Sequence, residues 1–113
     1  MAGIWFSPQR EYYAVGAGIH RKRSLNDSAW VVYPPGVVTS AGSWGVRGSD
    51  INDVFVAGSF GEVVHFNGVS WRSYFERHHL PTGALGPVAV TEHLVIAVGH
   101  LGSNGGAALI GRR

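Results

Sequence analysis

The sequence predicts an all-β protein made of short antiparallel strands grouped into repeated four-strand units. Three observations predict it. Glycine is the commonest residue, 17 of 113, about twice its usual share of roughly 7%. It is interleaved with β-branched and aromatic residues, the composition of short strands and tight turns. One strand-like segment recurs: Tyr13-Ala14-Val15-Gly16, Phe55-Val56-Ala57-Gly58 and Ile96-Ala97-Val98-Gly99 stand 42 and 41 residues apart. Finally, no segment carries a helical period; the best candidate, residues 74–80, is short and runs into Pro81.

In the first unit, residues 4–7 are a candidate strand and Pro8-Gln9-Arg10 is the turn after it. Residues 11–16 are the second strand, residues 18–21 open the third, and residues 29–33 are the fourth. Pro34-Pro35-Gly36 ends the pairing, because proline offers no amide donor to a ladder. The second unit is the best preserved. Its first strand is residues 44–47, followed by a turn at 48–52 whose Ser, Asp, Asn and Gly tolerate turn geometry or bond their own backbone. Strands at 53–57 and 62–66 flank Gly58-Ser59-Phe60-Gly61, where glycines can take positive φ. Asn67-Gly68 is a strong hairpin signal before a fourth strand at 69–75. Residues 76–87 read as a linker. The third unit has strands at 88–91, 93–98 and 107–110 around a glycine-rich turn, and no fourth strand follows.

Further markers support the repeat. Asn26 and Trp30 match Asn67 and Trp71, Tyr33 matches Tyr74, and Ile19-His20 is matched with Val64-His65. The chain therefore divides into units at about 3–43, 44–86 and 87–113, within the length of one ordinary domain. A period of about 40–50 residues with four short strands is the signature of a propeller blade. The second unit, WGVRGSDINDVFVAGSFGEVVHFNGVSW, resembles bacterial repeats of the form W-G-x-S-x-x-D-V-[WFY]-x-V-G-x-x-G-x-[IV]-x-H-[WYF]-[DN]-G-x-x-W. Those repeats are similar to BNR/Asp-box and photosystem-assembly-factor propellers. Trp44, Gly45, Asp53, Val54, Phe55, Gly58, Gly61, Val63, His65, Phe66, Asn67, Gly68 and Trp71 fall on the pattern; the match is degraded in the first unit and fragmentary in the third. The resemblance implies a β-propeller with a binding or scaffolding role and no single chemistry. The Asp-box proper, Ser-x-Asp-x-Gly-x-x-Trp, is not met, because Asn67 and Gly68 are adjacent.

Eleven strands make about two and three-quarter blades, whereas propellers typically close with about four to eight. Blades stacked without closure leave apolar end faces that need covering. Self-association, membership of a longer propeller, or closure as a smaller barrel or sandwich would each supply the cover. The missing fourth strand favours self-association as a homo-oligomer: a strand donated across the interface would complete the third blade, and a dimer would form a ring of about six blades. The charged fraction, 14% against roughly 25% in an average soluble domain, fits surface buried in an assembly.

Composition narrows the function classes. A net charge of +2, concentrated in Arg21-Lys22-Arg23 and Arg112-Arg113, is too little for a nucleic-acid surface, so no nucleic-acid partner is expected. There is no cysteine, hence no disulfide framework or thiol chemistry. The start, MAGIWFSPQR, lacks the pattern of a signal peptide, and no stretch approaches 18 apolar residues. No membrane partner is expected, and a cytoplasmic location is the default, although lack of cysteine does not exclude export.

Candidate chemistry is sparse. Trp5, Trp30, Trp44 and Trp71 could stack sugars, but their apparent repetition favours packing between blades; a buried indole also needs a partner for its NH. His20 and His65 are read as structural for the same reason, bonding a nearby backbone carbonyl. His78 and His79 are adjacent, so on an extended segment they face opposite ways and make a poor chelating pair; no set of three or four ligands is visible, and neither metal nor cofactor is expected. Asp50 and Asp53 read as turn residues, and no carboxylate pair has the spacing of a glycosidase. The glycine-rich loop at 102–106 lacks the lysine of a phosphate-binding P-loop, and no G-x-S-x-G elbow occurs. The resulting expectation is a non-catalytic binding or interaction protein whose blades assemble between chains. Its ligand would be a carbohydrate, small molecule or protein, and the candidate contacts on loops or in a channel are Arg47, Arg77, His78 and His79. The alternative is an enzyme, a glycan hydrolase or lyase with a site shared between chains.

Overall fold

Strand-forming residues punctuated by glycine and Asx turns leave no room for a helical stripe, and the described residues contain eleven strands and no helix. The computed structural model describes residues 2–7, 11–23, 26, 29–34, 36–74, 82–102 and 105–113. Strands β1 (Gly3–Phe6), β2 (Tyr12–Gly16), β3 (Gly18–Lys22) and β4 (Val31–Tyr33) form one antiparallel meander. β5 (Ser43–Asp50), β6 (Asp53–Gly58), β7 (Val63–Phe66) and β8 (Trp71–Ser73) form the second. β9 (Ala84–Val90), β10 (Leu94–His100) and β11 (Gly106–Arg112) form a third sheet of three strands. The protein is thus all-β, built of three successive antiparallel sheets. No closed barrel forms among the described residues, an arrangement consistent with incomplete propeller blades.

Several boundaries differ from those the sequence suggests. β5 runs on to Asp50, leaving a turn of only Ile51 and Asn52; the Asp50 carboxylate accepts from the Ile51 amide at 2.7 Å. β9 begins at Ala84, inside the expected linker, and passes through Pro87. Proline is tolerated there because the ladder with β10 is irregular between Ala97 and Gly99. In the β6–β7 turn the residues with positive φ are Gly61 and, unexpectedly, Phe60 at φ 62°. Phe60 is held there by its amide, which donates to Gly83 O at 2.9 Å.

The sheets stack face to face. The first strands of the three meanders lie side by side, β1 against β5 and β5 against β9. Glycine makes this close approach feasible: a Cβ on Gly45 would run into the carbonyl oxygen of Gly86. Strand periodicity then assigns the side chains. Tyr13, Val15 and Ile19 of the first sheet meet Val46, Val54, Val56, Val64 and Phe66 of the second in one buried cluster. Phe55, Ala57 and Val63, on the opposite face of the second sheet, meet Leu85, Val88 and Ala97 of the third. Every residue of β6 is therefore buried, whereas β10 buries one face only.

Register fixes which residues are equivalent between sheets. Tyr13 pairs with Arg21, Phe55 with His65, and Ile96 with Ile110. Arg21, His65 and Ile110 thus share one position. The sequence match of His20 with His65 is corrected: His20 corresponds to Val64. The connection after Gly16 is two residues shorter than the one after Gly58, and a shift of two keeps each side chain on its face, while the match of the histidines would have exchanged the faces. The fourth-strand matches hold. Trp71 packs on Phe66 at 5.0 Å, and Trp30 lies over the Lys22 ammonium at 4.8 Å.

Candidate functional site

Where the meanders meet at one end, β5 enters, the β6–β7 turn crosses, and β9 and β10 begin and finish. Glycines let their backbones touch; a Cβ on Gly99 would meet the Ala84 carbonyl. Ser59 is fixed from both sides, pairing with Ala84 and donating its amide to Gly42 O at 3.0 Å. Its hydroxyl accepts the Trp44 indole NH at 2.9 Å. Together Trp44, Ser59, residues 83–87, Gly99 and His100 enclose an open groove of about 500 Å³, a volume within the usual range of small-molecule sites, roughly 300–1,000 Å³. Its walls are mainly apolar. His100 Nδ1 lies 3.0 Å from Gly102 O; a carbonyl can only accept, so Nδ1 carries the proton and Nε2 of the neutral ring is left as an acceptor. A smaller groove of about 320 Å³ lies on the other side of Trp44, against Ala2, Gly16 and Ala17.

A second polar cluster joins the second and third sheets. The Asp53 carboxylate accepts from Ser49 Oγ and Arg113 Nη2, and lies 2.8 Å from His65 Nε2. A carboxylate only accepts, so His65 Nε2 is the donor; its partner is this side chain and not the backbone carbonyl expected from sequence. Burial alone would raise the Asp53 pKa, but the hydrogen bonds from Arg113, Ser49 and His65 outweigh it and hold the carboxyl below its ordinary value. Arg113 also donates to Thr91 O at 2.7 Å and stacks over Phe55 at 5.3 Å. Ser49, Asp53 and His65 do not form a nucleophile–base chain, since both Ser49 and His65 point at the carboxylate. Glu62, nearly buried, accepts from the Ser40 amide at 2.7 Å. Both acids are engaged in holding the fold. No group of three metal-ligating side chains occurs among the described residues.

Of the contacts expected from sequence, Arg47 is exposed on β5 and donates through Nε to Val88 O at 3.4 Å. It links neighbouring inner strands and does not line the groove. Arg77, His78 and His79 lie outside the described residues. The four tryptophans are not one repeated set, as the sequence suggested. Trp30 and Trp71 are equivalent, but Trp5 is register-equivalent to Arg47, and Trp44, in the irregular step of the β5–β6 ladder between Ser43 and Gly45, corresponds to Gly86 in the irregular step of β9. Trp5 packs on Tyr13 at 5.9 Å and on Gly48, where a Cβ would lie 2.7 Å from its ring. Trp71 is packed against the core, and its indole NH has no hydrogen-bond partner among the described residues. Sequence reasoning missed Ser59, Gly99 and His100, which come from different strand ends. No protein-family model, curated protein or solved structure matches this chain.

Proposed function

We propose that this chain is a non-catalytic binding protein of propeller-type blades, related to the bacterial repeats it resembles, whose blade set is completed by a second copy. One observation carries the reading: its two end faces are apolar at the positions that internal stacking covers. On the third sheet, Ile96, Val98, Ala108 and Ile110 are equivalent to Phe55, Ala57, Val63 and His65, which face the third sheet. Yet Val98 is 41% and Ile110 64% exposed. On the first sheet, Ile4, Tyr12 and Trp30 are equivalent to Val46, Val54 and Trp71, which meet a neighbouring sheet; here Ile4 is 68% and Trp30 38% exposed.

Stacking the third sheet of one copy on the first sheet of another would repeat the contact already made twice inside the chain. Two such contacts related by a twofold axis would close a ring of about six blades. The engaged state of Asp53 and Glu62 supports binding over acid–base chemistry. Light scattering and native mass spectrometry test the assembly. A particle of twice the chain mass is expected, and a folded monomer across the micromolar range overturns the shared ring.

A further inference from the structure

We infer that the groove beside Trp44 is a binding site for a neutral sugar, with the indole as its stacking platform. The inference rests on the binding reading above, but not on the ring, because every lining residue belongs to one chain. Repetition and packing set three of the tryptophans apart from Trp44. Trp30 and Trp71 recur at one blade position, and Trp5 is packed against Tyr13 and Gly48. Trp44 has neither justification. The matching irregular step of β9 holds Gly86, so stacking of these sheets does not call for an indole. It is 52% exposed, and its NH is already satisfied by Ser59. A large aromatic fixed at its polar edge and open over its apolar body is preorganised for a flat partner.

The surroundings select the chemistry of that partner. Among the described lining residues there is no Asp, Glu, Lys or Arg, so none of them offers a counter-charge to an ionic ligand. Apolar wall is supplied by the half-buried Ala84 and the exposed Pro87, which can cover carbon-bound hydrogens. Ser59 Oγ, having accepted the Trp44 NH, still has a hydrogen to donate, and His100 Nε2 can accept. A neutral pyranose has what this arrangement asks for: a flat C–H face and a rim of hydroxyls that both donate and accept. The turn that carries Ser59 is tied by its amide to Gly42 O and by the Phe60 amide to Gly83 O, which lowers the ordering cost on binding.

The test is a proton–nitrogen NMR titration of the full chain with the methyl glycosides of glucose, galactose, mannose and N-acetylglucosamine, over the millimolar range. With at least one of them, the Trp44 indole signal and the amides of Ser59, Ala84 and His100 should shift saturably. Trp44→Ala, at an exposed site, should keep a dispersed spectrum and weaken binding tenfold or more, while Trp44→Phe should retain part of it. The absence of a saturable shift with all four glycosides, or a response that Trp44→Ala leaves intact, overturns the proposal. If Trp44→Ala fails to fold, His100→Ala, which removes the rim acceptor, should weaken the same binding; an unchanged affinity in that variant counts against the site. Light scattering on the same samples separates the two readings. A monomer that binds removes the ring and keeps the groove, and a dimer that does not bind does the reverse.

Discussion

Replacing Asp53 by asparagine keeps the shape of the side chain and removes its charge. In the folded protein that carboxylate is only 12% exposed and receives Ser49, His65 and Arg113. Hydrogen bonds to a charged group contribute about 1.5–3 kcal/mol, and those between neutral groups about 0.5–1.5 kcal/mol. All three bonds lose their charged acceptor, and with the Arg113 share discounted because that side chain is partly solvated, the loss should be about 2 kcal/mol. For a domain of this size that lowers Tm by roughly 8 °C. The pH dependence has a definite sign. The folded-state pKa is held below its ordinary value, so the stabilisation is complete above the unfolded pKa of about 4. It disappears as pH falls through the lower folded value. Urea melts of the wild type and Asp53→Asn should differ by about 2 kcal/mol at neutral pH, and the gap should narrow stepwise in acid. A gap that is absent at neutral pH, or one that stays constant into acid, would refute the assignment of this carboxylate as the charged link between the second and third sheets.

Gly45→Ala should force β5 away from the Gly86 carbonyl and cost about 1–3 kcal/mol, read as a lower urea midpoint; an unchanged midpoint would mean the inner strands can separate freely. Phe60→Gly should leave stability unchanged or raise it by a few tenths of a kcal/mol, because φ of 62° suits glycine and strains phenylalanine. A loss above about 1 kcal/mol in thermal melts would show that the Phe60 ring packs favourably enough to outweigh the strain. The double variant Ile96→Asp, Ile110→Asp places charge on the outer face of the third sheet, where it should reduce a dimer to monomers on light scattering while the circular dichroism spectrum stays that of a β protein. A dimer of unchanged mass would move the interface elsewhere.

Strand identity was legible because its causes are local. Gly61, Gly68 and Asn67 specify turns through positive φ and side-chain capping, and alternation of β-branched residues specifies the strands between them. The equivalence of Trp30 with Trp71 was legible too, since the turn before each falls at the same distance. The pairing of His20 with His65 misled, because matching letters ignores the length of the preceding turn. Only the ladder register shows that Arg21 holds the His65 position.

The candidate site was less visible. Trp44 stood out as a residue, but its apparent membership of a repeated set pointed to packing, and Ser59, Gly99 and His100 looked like ordinary turn positions. They converge because three strand ends, far apart in sequence, are brought into backbone contact by glycines. The sequence by itself determined an all-β chain of repeated antiparallel units, since turn chemistry and a period of two act over a few residues. The tertiary structure alone decided which faces are covered, which acids are held by partners, and which tryptophan lines the groove. Those properties depend on how one sheet lies on the next, and that is fixed by contacts between residues about one repeat apart.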